Sequence, residues 1–204
     1  MRVIAGSAGG LRLAVPKRGV RPTMDRVKAA IFSSLGDAII GARVLDLFAG
    51  SGGLGIEALS RGAASVIFVE ANREAAGVIE SNLAKTKLSG RVRQRDVFDF
   101  LQQAPGAQTF EVIFADPPYD KTPAGESFTE KLLANKQLPQ LLDPAGMFVL
   151  EKRPGEVLPE MKLWQITRQK TYGATEVLFL SQSGARTHRT PTPKAFASPA
   201  LRAK

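Results

Sequence analysis

Between residues 43 and 150, short β-forming apolar runs alternate with amphipathic stretches, and this alternation constrains the fold more than any other feature of the chain. Strands are predicted at Arg43 to Phe48, Ser65 to Glu70, Arg91 to Arg95, Phe110 to Ala115 and Met147 to Leu150. Helices are predicted near 54–61, 72–86, 97–103 and 126–141. Successive strands joined through helices are parallel, with right-handed crossovers that place helices on both faces. The expected architecture is therefore a doubly wound, Rossmann-like α/β domain. After Leu150 the pattern changes: Pro154 and Pro159 punctuate a linker, and "LWQITRQKTYGATEVLFL" reads as two strands around a tight turn at Tyr172-Gly173. No helix fits between these two strands, so they should pair antiparallel and close a mostly parallel seven-stranded sheet.

The opening "RVIAGSAGGLRLAVP" reads as a small β-hairpin, assigned to residues 1–20. The principal domain is expected over 21–183. It begins with a helix that Thr23 can cap and that turns Val27, Ala30, Ile31 and Leu35 inward. Residues 184–204 carry prolines, few large apolar side chains and no periodicity, so a disordered basic tail is expected there. The net charge of +9 is unevenly placed, since Arg186, Arg189, Lys194, Arg202 and Lys204 contribute five of those charges. What remains is a mild bias toward a polyanionic partner such as nucleic acid. Cysteine is absent and the single histidine, His188, falls in the tail, so neither thiol nor imidazole chemistry is expected, and no metal. No apolar run has the length of a membrane span and the N-terminus lacks the apolar stretch of a signal peptide; a cytoplasmic protein without membrane contact is expected.

"VLDLFAGSGGLGIEAL" places a strand, a glycine loop and a helix start in that order. Gly50, Gly52 and Gly55 fit the G-x-G-x-x-G pattern, and Glu70 ends the next strand about twenty residues on, where its carboxylate can accept the hydroxyls of a ribose. Those features suit any adenosine cofactor. Asp46 discriminates among them, because an acid near the end of the first strand repels a pyrophosphate but suits the ammonium and sulfonium cations of S-adenosylmethionine. Asp96, after the third strand, can accept from an adenine amino group or cap the following helix.

"VIFADPPYD" ends the fourth strand with an acid, two prolines and an aromatic. Proline lacks an N–H and fixes φ, so Pro117-Pro118 makes a stiff extended turn that directs a carbonyl toward the ligand edge of the sheet. The Asp116 carboxylate and the Pro117 carbonyl then form an acceptor pair matched to the two N–H donors of a planar exocyclic amine, with Tyr119 as a stacking face. Holding an amine before an electrophilic methyl is catalysis by positioning, which requires no group with a pKa near 7.

The set "RPTMDRVKAAIFSSL", "VLDLFAGSGGLGIEALSRGA", "VIFADPPYD" and "KTYGATEVLFL" resembles the RsmD family of bacterial class I methyltransferases, over about Arg2 to Leu180. The resemblance implies S-adenosylmethionine as cofactor and the N2 amine of one guanine in small-subunit (16S) ribosomal RNA as target, within an assembling small subunit. It implies that Asp116, Pro117, Pro118 and Tyr119 hold the guanine. Cofactor contacts are implied for Thr23, Asp46, Phe48, Gly50, Ser51, Gly52, Glu70, Ala71, Asp96, Val97 and Asp116. Arg21, Arg26 and Tyr119 are implied on the RNA side, and the enzyme is expected to be a monomer. The hairpin reads "GGLRL" where the family tends to have Gly-Arg-x-Leu, and the basic tail extends past the usual end. Two other readings share these residues: an amino-methyltransferase acting on DNA adenine N6 or a protein glutamine, and a non-catalytic RNA-binding assembly protein.

Overall fold

The computed structural model describes residues 1–16, 25–103, 108–119 and 127–184. Arg21, Thr23 and the tail beyond Gly184 lie outside the described residues, and the expectations placed on them rest there. The first helix, α1 (Asp25–Leu35), is followed by a 3₁₀ turn (Gly36–Ile39). Then come β1 (Arg43–Leu47), α2 (Gly53–Ser60), β2 (Ser65–Glu70), α3 (Arg73–Thr86), β3 (Arg91–Gln94), α4 (Val97–Gln103) and β4 (Phe110–Ala115). Two short helices, α5 (Phe128–Leu133) and α6 (Leu138–Leu141), precede β5 (Leu142–Lys152), β6 (Trp164–Tyr172) and β7 (Thr175–Gln182).

The seven strands form one sheet in the order β3-β2-β1-β4-β5-β7-β6. Strands β1 to β5 are parallel, and β7 is antiparallel to both β5 and β6. Side chains alternate across it as the pleat requires. Val44, Phe68, Phe114, Val149, Val177 and Phe179 share a core with α1, α2 and α3. Leu45, Val69, Ile113, Leu150, Leu178 and Leu180 pack with α4, α5 and α6 on the other face. Val27, Ile31 and Leu35 point inward from α1 as their spacing predicts. Trp164 is 2% exposed, with its ring centroid 5.0 Å from that of Phe148, a core residue rather than a stacking platform.

Two elements differ from the sequence reading. The single helix expected over 126–141 is two short ones among its described residues. The Asn135 side chain accepts the N–H groups of Gln137 and Leu138, both at 2.9 Å, which starts a new helix, and Pro139 has no N–H with which to continue the old one. The fifth strand begins five residues earlier than expected, at Leu142, because the ladder shifts register between Phe110 and Val112 of β4 and lets residues 143–146 of β5, with Pro144 and Gly146, bulge opposite Glu111. A Cβ at Gly146 would lie 2.9 Å from the Glu111 carbonyl, so glycine permits that close approach.

The N-terminal hairpin carries one antiparallel bridge, Arg2 to Arg12, with Val3 N–H donating to the Leu11 carbonyl and Gly10 N–H to the Val3 carbonyl, each at 2.9 Å, and Leu13 N–H to the Met1 carbonyl at 3.1 Å; other peptide groups of the segment bond to α2. Ile4 and Ala5 donate to the two Glu57 oxygens at 2.6 and 3.1 Å, Ser7 N–H to the Ser60 carbonyl at 2.8 Å, and Ala8 N–H to Ser60 Oγ at 2.9 Å. Lys28 Nζ lies 3.4 Å from Glu57 Oε2, and both side chains are fully buried. Burial pushes the Lys28 ammonium below its ordinary pKa, an effect that the Glu57 carboxylate opposes. Val3, Ala8 and Leu13 thereby join the same core as α1 and α2.

Candidate active site

The strand order reverses between β1 and β4, and in an open α/β sheet ligands bind beyond the carboxyl ends of the strands at such a switch. Asp46, Phe48 and the glycine loop belong to the end of β1, Glu70 and Ala71 to that of β2, Asp96 and Val97 to that of β3, and Asp116 to Tyr119 to that of β4.

Asp46 is 2% exposed, and its Oδ2 accepts the Gly55 N–H at 2.8 Å. Burial pushes its carboxyl well above the usual aspartate range, the Gly55 bond opposes this, and the charges of Asp116 and Glu70 push it further up. Glu70 braces the loop: Oε2 accepts the Gly50 N–H and Oε1 the Asn72 N–H, each at 2.8 Å. Phe48 adopts φ 55°, a left-handed conformation that strains a side chain and turns the backbone sharply into the loop. Gly52 also needs its φ of 80°, whereas the helical Gly55 serves packing, since a Cβ there would lie 2.3 Å from the Phe68 ring. Ser51 is buried, and Asn82 Nδ2 donates to its carbonyl at 3.0 Å.

Asp96 takes the capping role that its position also allowed, with Oδ1 accepting from Phe98 N–H at 2.8 Å and Asp99 N–H at 3.2 Å. Val97 is buried and Ala71 exposed. Phe48, Phe98 and Phe128 form an aromatic cluster beside this edge, with Phe48 edge-on to the other two rings at 6.2 and 5.6 Å.

On the β4 side Asp116 is half-buried, Pro117 buried, Pro118 exposed and Tyr119 half-buried. The Tyr119 hydroxyl lies 3.2 Å from Thr175 Oγ1 and 3.4 Å from the Ala174 carbonyl, and the Arg153 guanidinium lies 5.2 Å from its ring centroid. Sequence reasoning did not single out Thr175, Ala174 or Arg153. Ala174 and Thr175 reach Tyr119 because β7 runs antiparallel to β5, so the turn between β6 and β7 falls at the ligand edge, and Arg153 follows the carboxyl end of β5 at the same edge. Arg26 is exposed near the start of α1.

The chemistry of these donors fits S-adenosylmethionine. A buried carboxyl in the field of two others is relieved by a cation, which the sulfonium and ammonium groups supply. The Glu70 oxygens retain lone pairs for ribose hydroxyls beyond the two amide bonds they accept.

Fold and site together define a Rossmann-like S-adenosylmethionine-dependent methyltransferase. The family model described as Conserved hypothetical protein 95 matches residues 1–181, and the chain belongs to that family, the RsmD family. A Bacillus subtilis protein, YlbH, named provisionally as an rRNA methyltransferase, is 41% identical over 189 residues, 90% of this chain and 100% of that one. The Escherichia coli K12 protein named ribosomal RNA small subunit methyltransferase D is 36% identical over 176 residues, 85% of each chain. A solved structure from Thermus thermophilus superposes with a TM-score of 0.74 at 31% identity, covering 89% of this chain and 99% of that one. A methyltransferase structure in complex with S-adenosylhomocysteine matches the fold at TM-score 0.64 and 16% identity, covering 80% of this chain and 51% of that one.

Proposed function

We propose that this methyltransferase modifies the exocyclic N2 amine of one guanine in 16S ribosomal RNA, as a cytoplasmic monomer acting on an assembling small subunit. Residues 21–183 form the catalytic domain in this reading and residues 1–20 its extension. The observation that carries it is the exit of β4, where a half-buried carboxylate, a proline carbonyl and a tethered aromatic ring leave one strand beside the buried acid of β1. Relatives named for small-subunit rRNA methylation support the RNA substrate.

In this reading Asp46 and Glu70, with the Gly50 to Gly52 loop, orient the cofactor, which when bound supplies a methyl group on a sulfonium. Asp116 and the Pro117 carbonyl each accept one N–H of the guanine amine. Those two bonds would draw the nitrogen lone pair out of conjugation and aim it at the place a cofactor methyl would occupy, and the Asp116 carboxylate is the group placed to take the N–H proton that the methylated amine must release. Tyr119 stacks on the base, which has to leave any helical stack to reach the site. In this reading Asp96 and Phe48 bound the adenine side, Thr23 contacts the cofactor, and Arg21 and Arg26 contact the RNA.

The test is transfer of radiolabelled methyl from S-adenosylmethionine to small-subunit particles from a strain lacking this gene, followed by digestion to nucleosides. Label is expected in N2-methylguanosine. Asp116→Ala should fold normally yet lose activity by roughly 10² or more, by analogy with loss of one positioned polar contact. Label elsewhere, or near-normal turnover by that variant, would overturn the reading.

A further inference from the structure

We infer that the α1-side face of β6 is a docking track for the phosphate backbone of the RNA strand that flanks the target base; this rests on the function proposed above. β6 is the last strand of the sheet, and from Gln165 to Thr171 its residues are exposed. A bulge between Ile166 and Arg168 resets which residues face which side. Beyond it, Arg168 pairs with Phe179, Lys170 with Val177 and Tyr172 with Thr175. Phe179 and Val177 belong to the core beneath α1, so Arg168 and Lys170 stand on that face of the sheet, where no described helix covers them.

The opposite face of the same strand is different in kind. Gln169 and Thr171 are neutral and turn to Glu176, whose Oε1 accepts from them at 2.7 and 3.3 Å. Lysine or arginine on an edge strand also deters strand addition, but that role does not require the charges to share one face. Among the described residues neither Arg168 nor Lys170 has an ion-pair partner. Glu151, the carboxylate in the row of Lys170, is buried two strands inward. The Arg168 guanidinium lies over the Phe179 ring, 5.8 Å from its centroid, a contact that does not neutralise its charge.

The track leads to the reacting group. β6 runs parallel to β5, so its carboxyl end arrives at the ligand edge, and the following turn holds the Tyr119 hydroxyl. Arg153, exposed and against the Tyr119 ring, continues the positive charge to the base site. Alternate residues of a strand stand about 7 Å apart, so Arg168 and Lys170 form a charged line running away from Tyr119. A single-stranded or splayed RNA segment with its base at Tyr119 would lay its phosphates along that line, whereas an acidic peptide would have no base to stack there.

The test is equilibrium binding of the full-length protein to the small-subunit rRNA across a salt series, with Arg168→Gln/Lys170→Gln beside Lys85→Gln/Lys87→Gln. The second pair removes the same charge from exposed positions at the end of α3, at the other edge of the sheet. The β6 double variant should lower the slope of log K against log salt by roughly 1.4 to 1.8, the release expected for two phosphate contacts. It should raise the RNA KM while leaving cofactor binding and kcat at saturating RNA unchanged, and the α3 pair should leave the slope near wild type. An unchanged slope in the β6 variant, or an equal fall in both variants, overturns the track. A wild-type enzyme that binds rRNA but places no methyl on guanine N2 overturns the proposed reaction instead.

Discussion

Asn82 is fully buried on α3 and joins two segments far apart in sequence. Its Oδ1 accepts the Ala14 N–H at 2.8 Å, while Nδ2 donates to the carbonyls of Ala14 and Ser51, both at 3.0 Å. One side-chain amide thus serves residue 14 as a neighbouring strand would, and ties it to the glycine loop. Asn82→Ala leaves one N–H and two carbonyls without their partner, the Ser51 carbonyl in a buried site and the two groups of exposed Ala14 nearer to water. Each orphaned group costs about 1 to 3 kcal/mol, and with partial relief by entering water a total of about 3 kcal/mol is expected. In a domain of this size that lowers Tm by about 6 to 12 °C. Asn82→Asp keeps the shape but sets an anion against two carbonyls, so it should fall at least as far. Thermal melting by circular dichroism reads the loss, and hydrogen exchange at the Ala14 amide locates it. Because Ser51 belongs to the loop proposed to hold the cofactor, S-adenosylmethionine should also recover less stability in these variants than in wild type. A Tm fall below about 2 °C in both variants would show that the amide is replaceable and refute the reasoning.

Two further outcomes follow from the same geometry. Asp46 binds its proton more tightly folded than unfolded, so its contribution to stability is full below its ordinary value of 3.8 and declines as pH rises through the raised folded-state value. A cationic ligand offsets that decline, so the Tm increase produced by S-adenosylmethionine should grow with pH in wild type and flatten in Asp46→Asn; equal pH dependence in the two would refute the assignment. Gly6 and Gly10 both have positive φ, 83° and 86°, but a Cβ at Gly6 would lie 1.8 Å from the Ser60 carbonyl oxygen, whereas at Gly10 nothing lies within 4 Å. Gly10→Ala should therefore show only the left-handed strain of about 1 to 2 kcal/mol, with Gly6→Ala melting clearly lower, and equal melting temperatures would mean that the contact to α2 contributes nothing.

The legible parts of the fold are those where local pattern and tertiary setting agree. β2 and β4 have the predicted limits because each is an apolar run with turn chemistry at its end. The split of 126–141 was signalled by Asn135 and Pro139, but the apolar spacing of Leu132, Leu133, Leu138 and Leu141 imitates one amphipathic helix. β5 hid behind Pro144 and Gly146, which read as a breaker although they form a bulge within the strand. In the candidate site, the acids and glycines show in sequence because their spacing is local. Lys28 and Asn82 look like ordinary solvated helix positions, and only tertiary packing makes them buried anchors. Glu57 did leave a trace, as the lone acid in the otherwise uncharged "GLGIEALS" of a helix whose residues are all buried.

The antiparallel end of the sheet explains how a stiff proline turn becomes the ordered edge where the base is proposed to bind. A β7 parallel to β5 would begin at the opposite edge, carrying Ala174 and Thr175 away from the Tyr119 hydroxyl. Reversing β7 brings Ala174 and Thr175 to the ligand edge, and Thr175, 6% exposed, is fixed where its hydroxyl meets the tyrosine. The same junction holds a buried ion pair, Lys152 Nζ to Glu176 Oε2 at 2.6 Å, and Lys152 also donates to the carbonyls of Arg153 and Glu156 at 2.7 and 3.2 Å. Such a pair contributes little net stability against an apolar substitute, but its directional bonds select one register and one chain path. Here that path sets the Arg153 backbone, and with it the guanidinium on the Tyr119 ring. The half of the sheet proposed to hold the cofactor is organised by carboxylates that accept backbone N–H groups of the glycine loop and its helix, and the half proposed to hold the substrate by a hairpin that grips one aromatic ring. β4 lies between the halves, so Asp116 is the residue from which both are within reach.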